Sequence, residues 1–86
     1  MGEKGVLDNL IDKKVRLVLK LFLDHQEDLF HLNKISRRSG VPLTTAFRIV
    51  KKLTALDLVK IIQVGKFKLY QVNQNEKTRL LGQLLK

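Results

Sequence analysis

Apolar residues recur at three- and four-residue steps along the first part of the chain, from Val6 to about Asp24. This spacing predicts an amphipathic helix with one face toward a core. Leu17, Leu21 and Leu23 add a second apolar flank. Because a small domain should not bury two sides of one helix, we expect Leu17 and Leu21 to be partly exposed or covered by a second subunit.

Two further helices are predicted in the middle of the chain, after a polar break at 25–28 and a very short strand at 29–32. Asn33 is a plausible N-cap for the first of them, which runs to Ser39. Gly40 can end that helix because glycine adopts a positive φ without strain. Pro42 then sets φ for the start of the next helix.

The helix predicted from Leu43 to Leu56 has two contrasting faces. The inward stripe is predicted to contain Ala46, Ile49, Val50, Leu53 and Leu56. The opposite face contains Thr44, Thr45, Arg48, Lys51, Lys52 and Ala55. Phe47 lies at the edge of the stripe, so we expect it to pack in the core. Asp57 is expected to end the helix, since Asp tolerates the left-handed conformation better than most residues.

A β-hairpin and a last helix are predicted to follow. Two apolar strands, 58–64 and 66–72, flank Gly65, which can supply the positive φ of a tight turn, and Lys66 and Lys68 lie near its tip. The helix predicted from Glu76 to Lys86 has four leucines, at positions 80, 81, 84 and 85. A helix this short is marginal alone. We therefore expect it to pack against another element, and a partner subunit is the simplest candidate.

Charge changes the interpretation of these elements. The chain of 86 residues has 17 Lys and Arg against 8 Asp and Glu, a formal net charge of +9. Between positions 29 and 75 Asp57 is the only acid, so most of the excess positive charge falls on this central segment, whereas the segment before it is nearly neutral. A polyanion attracts such a segment through Coulomb steering and counterion release. We therefore favour a face that binds nucleic acid over a basic face that is only solvated.

Other chemistries find little support in the sequence. Length and a hydrophobic content of 44% indicate one globular domain across 1–86, and the absence of cysteine excludes disulfides and thiolate metal sites. No apolar run is long enough for a membrane span or a signal peptide, so we expect a cytoplasmic protein. Asp24, His25, Glu27, Asp28 and His31 cluster across a predicted break without ligand spacing, which favours a solvated loop over a metal site. We predict no catalytic residues, no metal and no cofactor, and the sequence identifies no small-molecule effector.

The span from Asn33 to Val59 resembles winged helix-turn-helix regulators of the MarR, ArsR and IclR kinds. The resemblance rests on Ile35-Ser36 with Gly40-Val41-Pro42, on Thr44-Thr45-Ala46-Phe47-Arg48, and on the leucines leading into the first strand. Those families usually have Gly where this chain has Asp57, a change that Asp can accommodate. The resemblance implies a mainly α fold with a small hairpin: a helix at about 6–24, a short strand, the helix-turn-helix at about 33–56, the wing at about 58–72 and a helix at about 76–86.

The resemblance also implies roles for individual residues. Leu43, Thr44, Thr45 and Arg48 would face the major groove of double-stranded DNA. Thr44 and Thr45 could also cap the helix, and the two roles can coexist. For Phe47, contact with a thymine methyl group is the alternative to packing in the core. Arg37, Arg38, Lys51 and Lys52 would meet phosphates, and Lys66 and Lys68 would touch the backbone or minor groove. The predicted function is a sequence-specific transcriptional regulator, acting as a dimeric repressor. The predicted dimer interface contains Leu7, Leu10, Leu17, Leu21, Leu80, Leu81, Leu84 and Leu85. A protein-interaction module and a non-specific architectural DNA-binding protein are the alternatives.

Overall fold

The computed structural model describes residues 12–84 as four helices and one β-hairpin. The elements are α1 (Lys13–Asp24), α2 (Leu32–Ser39), α3 (Leu43–Ala55), β1 (Val59–Val64), β2 (Phe67–Val72) and α4 (Glu76–Leu84). This order confirms the predicted mainly α fold with a small hairpin, which is a winged helix-turn-helix. Among these helices none is long and apolar enough to cross a membrane.

Helix α1 is packed on more than one side by the rest of the domain. The Asp12 carboxylate caps it by accepting from the Lys14 N–H at 3.1 Å. Contacts with α2, α3, α4 and β2 surround its apolar faces, so Leu21 is buried and only 8% exposed, whereas Leu17 is 39% exposed. The prediction that Leu21 lies at a subunit interface is wrong, because neighbouring elements of its own chain already cover it. The predicted portion of this helix before position 12 lies outside the described residues.

The helix-turn-helix begins earlier than its sequence predicts. Helix α2 starts at Leu32 and its N-cap is His31, which makes no side-chain capping hydrogen bond. Asn33, the predicted N-cap, therefore lies inside the first turn, because half-buried Leu32 packs against the core as part of the helix. Gly40 ends α2 at φ 77°, as predicted, and its N–H donates to the Ser36 carbonyl at 3.0 Å.

The turn into α3 is fixed by side-chain hydrogen bonds. The Ser36 hydroxyl donates to the Val41 carbonyl at 2.6 Å, and the Ser39 hydroxyl donates to the Ile35 carbonyl at 2.6 Å. Val41 itself is buried in the core. Pro42 is the N-cap of α3, with φ −54°. These contacts fix the direction in which α3 leaves the turn.

The inward stripe of α3 is confirmed for Ala46, Ile49, Val50 and Leu53, all of which are buried. Leu56, predicted on the same stripe, is 58% exposed. It lies beyond the last helical residue, and the chain reverses direction at Asp57, whose φ of 64° confirms the predicted left-handed end. Leu58 then enters the core in its place, with its N–H donating to the Leu53 carbonyl at 2.9 Å.

The hairpin forms as predicted, with β1 antiparallel to β2 and Val59 paired with Val72 at its base. Gly65 adopts φ 58° in the turn between Val64 and Phe67. The short strand predicted at 29–32 is a single bridge between Phe30 and Tyr70, whose backbone hydrogen bonds measure 2.9 and 2.8 Å.

The bridge anchors the hairpin to the hydrophobic core. Phe30 is fully buried and meets Phe22 edge to face, with ring centroids 5.6 Å apart. Val59, Tyr70 and Val72 are buried on the same side of the hairpin. Edge-to-face aromatic pairs contribute roughly 0.5–1.5 kcal/mol beyond the area they bury. The base of the wing is therefore rigidly attached to α1.

Helix α4 begins at a reciprocal cap. The Asn75 side chain accepts from the Thr78 N–H at 3.0 Å, while the Asn75 N–H donates to the Thr78 hydroxyl oxygen at 3.0 Å. Thr78 is buried and its hydroxyl also donates to the Asn73 carbonyl at 2.6 Å. Of the α4 leucines, Leu81 packs partly against the core, whereas Leu80 and Leu84 are 50% and 77% exposed.

Candidate nucleic-acid interface

The outer face of α3, defined here as Thr44, Arg48, Lys51 and Lys52, lies opposite the buried stripe and is exposed along its whole length. Because four residues face the core at helical spacing, the intervening positions project away from it. Thr45 is half-buried at the edge of this face. All the α3 residues that the sequence assigned to a DNA-facing surface are therefore accessible.

The first turn of α3 is open to an anion or to a hydrogen-bonding partner. Its N-cap, Pro42, provides no side-chain acceptor. The first N–H groups of a helix lack partners within the helix and carry partial positive charge. Neither the Thr44 nor the Thr45 hydroxyl makes a hydrogen bond within residues 12–84. The alternative that these threonines serve as the helix cap is wrong, since Pro42 occupies that position.

Lys14 joins this surface, although sequence reasoning missed it. A shallow groove between the start of α1 and α3 is lined by Lys14, Thr45, Arg48 and Lys52, with Asp12 at its edge. Lys14 and Arg48 are far apart in sequence, and only the packing of α1 against α3 brings them to one groove. The sequence of α1 alone does not indicate that Lys14 lies near Arg48.

The bases at the end of α2 differ in what they contact. Arg37 is exposed and lies in the last turn of the helix. Arg38 is also exposed, but its Nη2 lies 3.2 Å from His25 Nε2. Because a guanidinium can only donate, His25 Nε2 accepts, which places the imidazole proton on Nδ1, 3.5 Å from Asp28 Oδ2. Arg38 is thereby directed toward the end of α1, while Arg37 stays open to solvent.

The wing presents its two lysines at an ordered tip. Lys66 lies in the turn and Lys68 pairs across the hairpin with Gln63, and both lysines are exposed. The Gln63 side chain donates to the Gly65 carbonyl at 3.0 Å, which stiffens the turn. Phe67, 61% exposed, meets the His31 ring edge to face at 5.5 Å. The tip is thus tied to the start of α2 rather than free to swing.

Positive charge on these surfaces is not neutralised by nearby acids. Within residues 12–84, no Lys or Arg forms an ion pair with a carboxylate of that range, and the carboxylate of Asp28 instead lies 3.5 Å from His25 Nδ1. Unpaired surface cations keep their full attraction for a polyanion, which decays over about 10 Å at 0.1 M salt. In the same range, no group of three or more His, Cys, Asp or Glu is placed to hold a metal ion.

Phe47 departs from its predicted place. It is 43% exposed on α3 instead of packing in the core, and Lys51 Nζ lies 5.6 Å from its ring centroid. The core between α3 and the rest of the domain is already filled by the four residues of the buried stripe. A ring at the edge of that stripe is therefore left on the surface.

Comparison with known families identifies the arrangement. The IclR helix-turn-helix domain profile matches residues 14–60, which span α1, α2, α3 and the start of β1. The chain belongs to the IclR helix-turn-helix family. Its membership makes it a DNA-binding domain of the transcriptional-regulator type. Among curated proteins, no match to the chain is found.

Two solved structures share the fold of this IclR-type domain. A Methanosarcina mazei Go1 protein, described as a possible transcriptional regulator, superposes with a TM-score of 0.72 at 19% identity over 99% of this chain and 77% of its own. An Archaeoglobus fulgidus protein superposes with a TM-score of 0.70 at 16% identity over 91% of this chain and 87% of its own. At these identities the likeness concerns the fold alone.

Proposed function

We propose that this protein is a sequence-specific regulator of transcription that binds double-stranded DNA as a homodimer and represses by blocking access of the polymerase. Residues 12–84 would act as one winged domain, with α3 in the major groove and the hairpin on the adjacent backbone. The observation that carries this proposal is the outer face of α3: exposed, basic, opposite the buried stripe, and without intramolecular ion pairs among the described residues.

Arg48 is proposed as the main base-reading residue. It is exposed in the second turn of α3, where a long side chain can reach base edges while the first turn approaches the groove. An arginine can pair with guanine through two hydrogen bonds, worth roughly 1–3 kcal/mol of discrimination. Thr44 and Thr45 are short enough to let the helix approach closely, and exposed Leu43 lies beside them. These residues form the proposed base-facing set.

The remaining bases are proposed to contact phosphates. Arg37, Lys51 and Lys52 flank the base-facing set, and Lys66 and Lys68 extend the positive surface along the wing. Arg38 joins them if its hydrogen bond to His25 is exchanged for one to phosphate. Phosphate contacts fix the register and orientation of the protein on DNA without reading sequence.

Dimerisation is proposed through the apolar side chains that the domain leaves exposed on α1 and α4. Leu17, Leu80 and Leu84 are 39%, 50% and 77% exposed, and Leu81 packs partly against the core. Leu80 and Leu84 lie one turn apart on the same side of α4, and contiguous exposed apolar side chains are typical of protein–protein contact sites. Leu7, Leu10 and Leu85, also predicted at this interface, lie outside the described residues.

Selection of bound sequences from a random duplex pool, followed by affinity against salt, tests the proposal. A selected duplex should bind at least a thousandfold more tightly than a scrambled one, with a steep salt dependence for both. Equal affinity for the two duplexes would indicate an architectural protein. Absence of binding even at low salt would leave only a protein-interaction module.

The Arg48→Ala variant tests base reading within that assay. It should relax the preference at one position of each half-site by roughly 1–3 kcal/mol, because one guanine loses its two hydrogen bonds. Lys52→Ala is the matched control, since it removes a charge from the same face without removing a base contact. A loss in Arg48→Ala that is uniform over all base positions would show that this side chain meets phosphate instead.

A further inference from the structure

Phe47 and Leu43 form an apolar strip on the otherwise polar outer surface of α3. Leu43, one turn before Phe47, is 46% exposed, and Phe47 is 43% exposed. Residues four apart on a helix lie on the same side, about 6 Å from one another. The strip borders the base-facing set at Thr44 and Arg48. A carbon surface therefore lies directly beside the side chains proposed to enter the groove.

The Phe47 ring is held in place on this surface. Lys51, one turn later, lies with Nζ 5.6 Å from the ring centroid, within the range of a cation–π interaction. Ala46 and Val50, on the neighbouring side of α3, are buried in the core, whereas Phe47 lies outside it. The aromatic ring is thus a fixed part of the outer surface of α3.

We propose that Phe47 reads thymine by contacting its 5-methyl group in the major groove. The proposal rests on the function proposed above. Thymine is the only standard base with a methyl group in that groove, and apolar side chains recognise it by excluding water. The ring offers carbon surface for this contact, and the neighbouring Lys51 is the side chain proposed above to meet a phosphate. The preferred operator would then contain a required thymine next to the base pair read by Arg48.

Replacement of thymine by deoxyuridine, one position at a time in a selected duplex, isolates this contact. The substitution removes the methyl group and leaves base pairing and the O4 acceptor unchanged. The native protein should bind about fourfold more weakly at one thymine of each half-site, from roughly 0.8 kcal/mol for a buried methyl-sized group. The Phe47→Ala protein should bind the two duplexes equally.

Two further variants make the experiment decisive. Leu29→Ala shortens an apolar side chain of similar exposure, 41%, outside α3, and it should keep the full thymine-to-uracil ratio. Phe47→Leu keeps an apolar side chain and should give a smaller ratio than the native protein, which keeps the test valid if Phe47→Ala does not fold.

Two results would overturn the assignment of Phe47. One is equal affinity of the native protein for the thymine and deoxyuridine duplexes at every position. The other is a thymine-to-uracil affinity ratio that is unchanged in both Phe47 variants. Either result can occur while the protein still prefers its selected duplex. Failure of the proposed function has a different signature, namely the absence of any preferred duplex. The two failures are therefore distinguishable in a single set of titrations.

Discussion

Neutralising the wing lysines should change the salt dependence of DNA binding by a predictable amount. The change is Lys66→Gln with Lys68→Gln, which removes two charges from the hairpin tip while keeping long polar side chains. Both lysines are exposed, and the Gly65 turn between the strands is stiffened by the Gln63 hydrogen bond. The substitutions should therefore leave the fold intact and act on DNA binding alone.

The magnitude follows from the number of phosphate contacts. Six bases are proposed to meet phosphate in each subunit, namely Arg37, Arg38, Lys51, Lys52, Lys66 and Lys68. Each contact contributes about −0.9 to the slope of log K against log salt, so a half-site duplex should give a slope of about −5.4. The double variant should give about −3.6. Between 50 and 200 mM salt, this difference amounts to roughly tenfold in affinity.

The matched control is Lys20→Gln with Arg79→Gln. These two bases are also exposed, and their removal changes the net charge by the same amount. They line the groove between α1 and α4, which contains no residue of α3 or of the wing. Fluorescence anisotropy titrations at four or more salt concentrations should show a slope close to the native value. Equal changes of the salt slope in the two double variants would refute the placement of the wing at the DNA backbone. They would show that only the net charge of the protein matters, and not the position of the lysines.

Two further predictions concern the scaffold and the assembly. Gly40→Ala should lower the free energy of unfolding by about 1–2 kcal/mol in urea denaturation, because φ is 77° there although a Cβ meets nothing within 4 Å. At Gly82, inside α4, an added Cβ also meets nothing within 4 Å, and Gly82→Ala should instead raise the free energy of unfolding by up to about 1 kcal/mol. A change in the same direction for both variants would contradict this reasoning. Leu80→Lys with Leu84→Lys should halve the mass in sedimentation equilibrium, and an unchanged dimer would exclude this face of α4.

Local chemistry made much of the fold predictable. Gly40, Asp57 and Gly65 each stand where the backbone takes a positive φ, and each was placed from residue type and position alone. Four of the five residues predicted in the inward stripe of α3 are buried, because the spacing of apolar residues decides which side of the helix faces the core. The positive-φ positions and most of this stripe were therefore confirmed.

Predictions that depend on which elements meet were less successful. Leu21 and Leu56 have the same residue type, yet one is covered by several neighbouring elements and the other lies past the end of its helix. Phe47 lies at the edge of the buried stripe and is 43% exposed, because the stripe that faces the core consists of Ala46, Ile49, Val50 and Leu53. Lys14 joins the candidate interface through long-range packing alone. Periodicity gives the faces of a helix, but it contains no information on how many of those faces the rest of the chain will cover.

The junction at Asp57 connects the three parts on which the proposed function depends. Its carbonyl accepts from the Asn73 and Asn75 side chains at 3.1 and 2.9 Å, and its carboxylate accepts from Asn73 at 2.9 Å. Asp57 follows the end of α3, Asn73 follows β2, and Asn75 caps α4. Any subunit contact made by α4 is thus linked by hydrogen bonds to the orientation of α3 and of the hairpin. The hydrogen bond from Asn73 to the carboxylate is a reason for Asp, rather than glycine, to occupy this left-handed position.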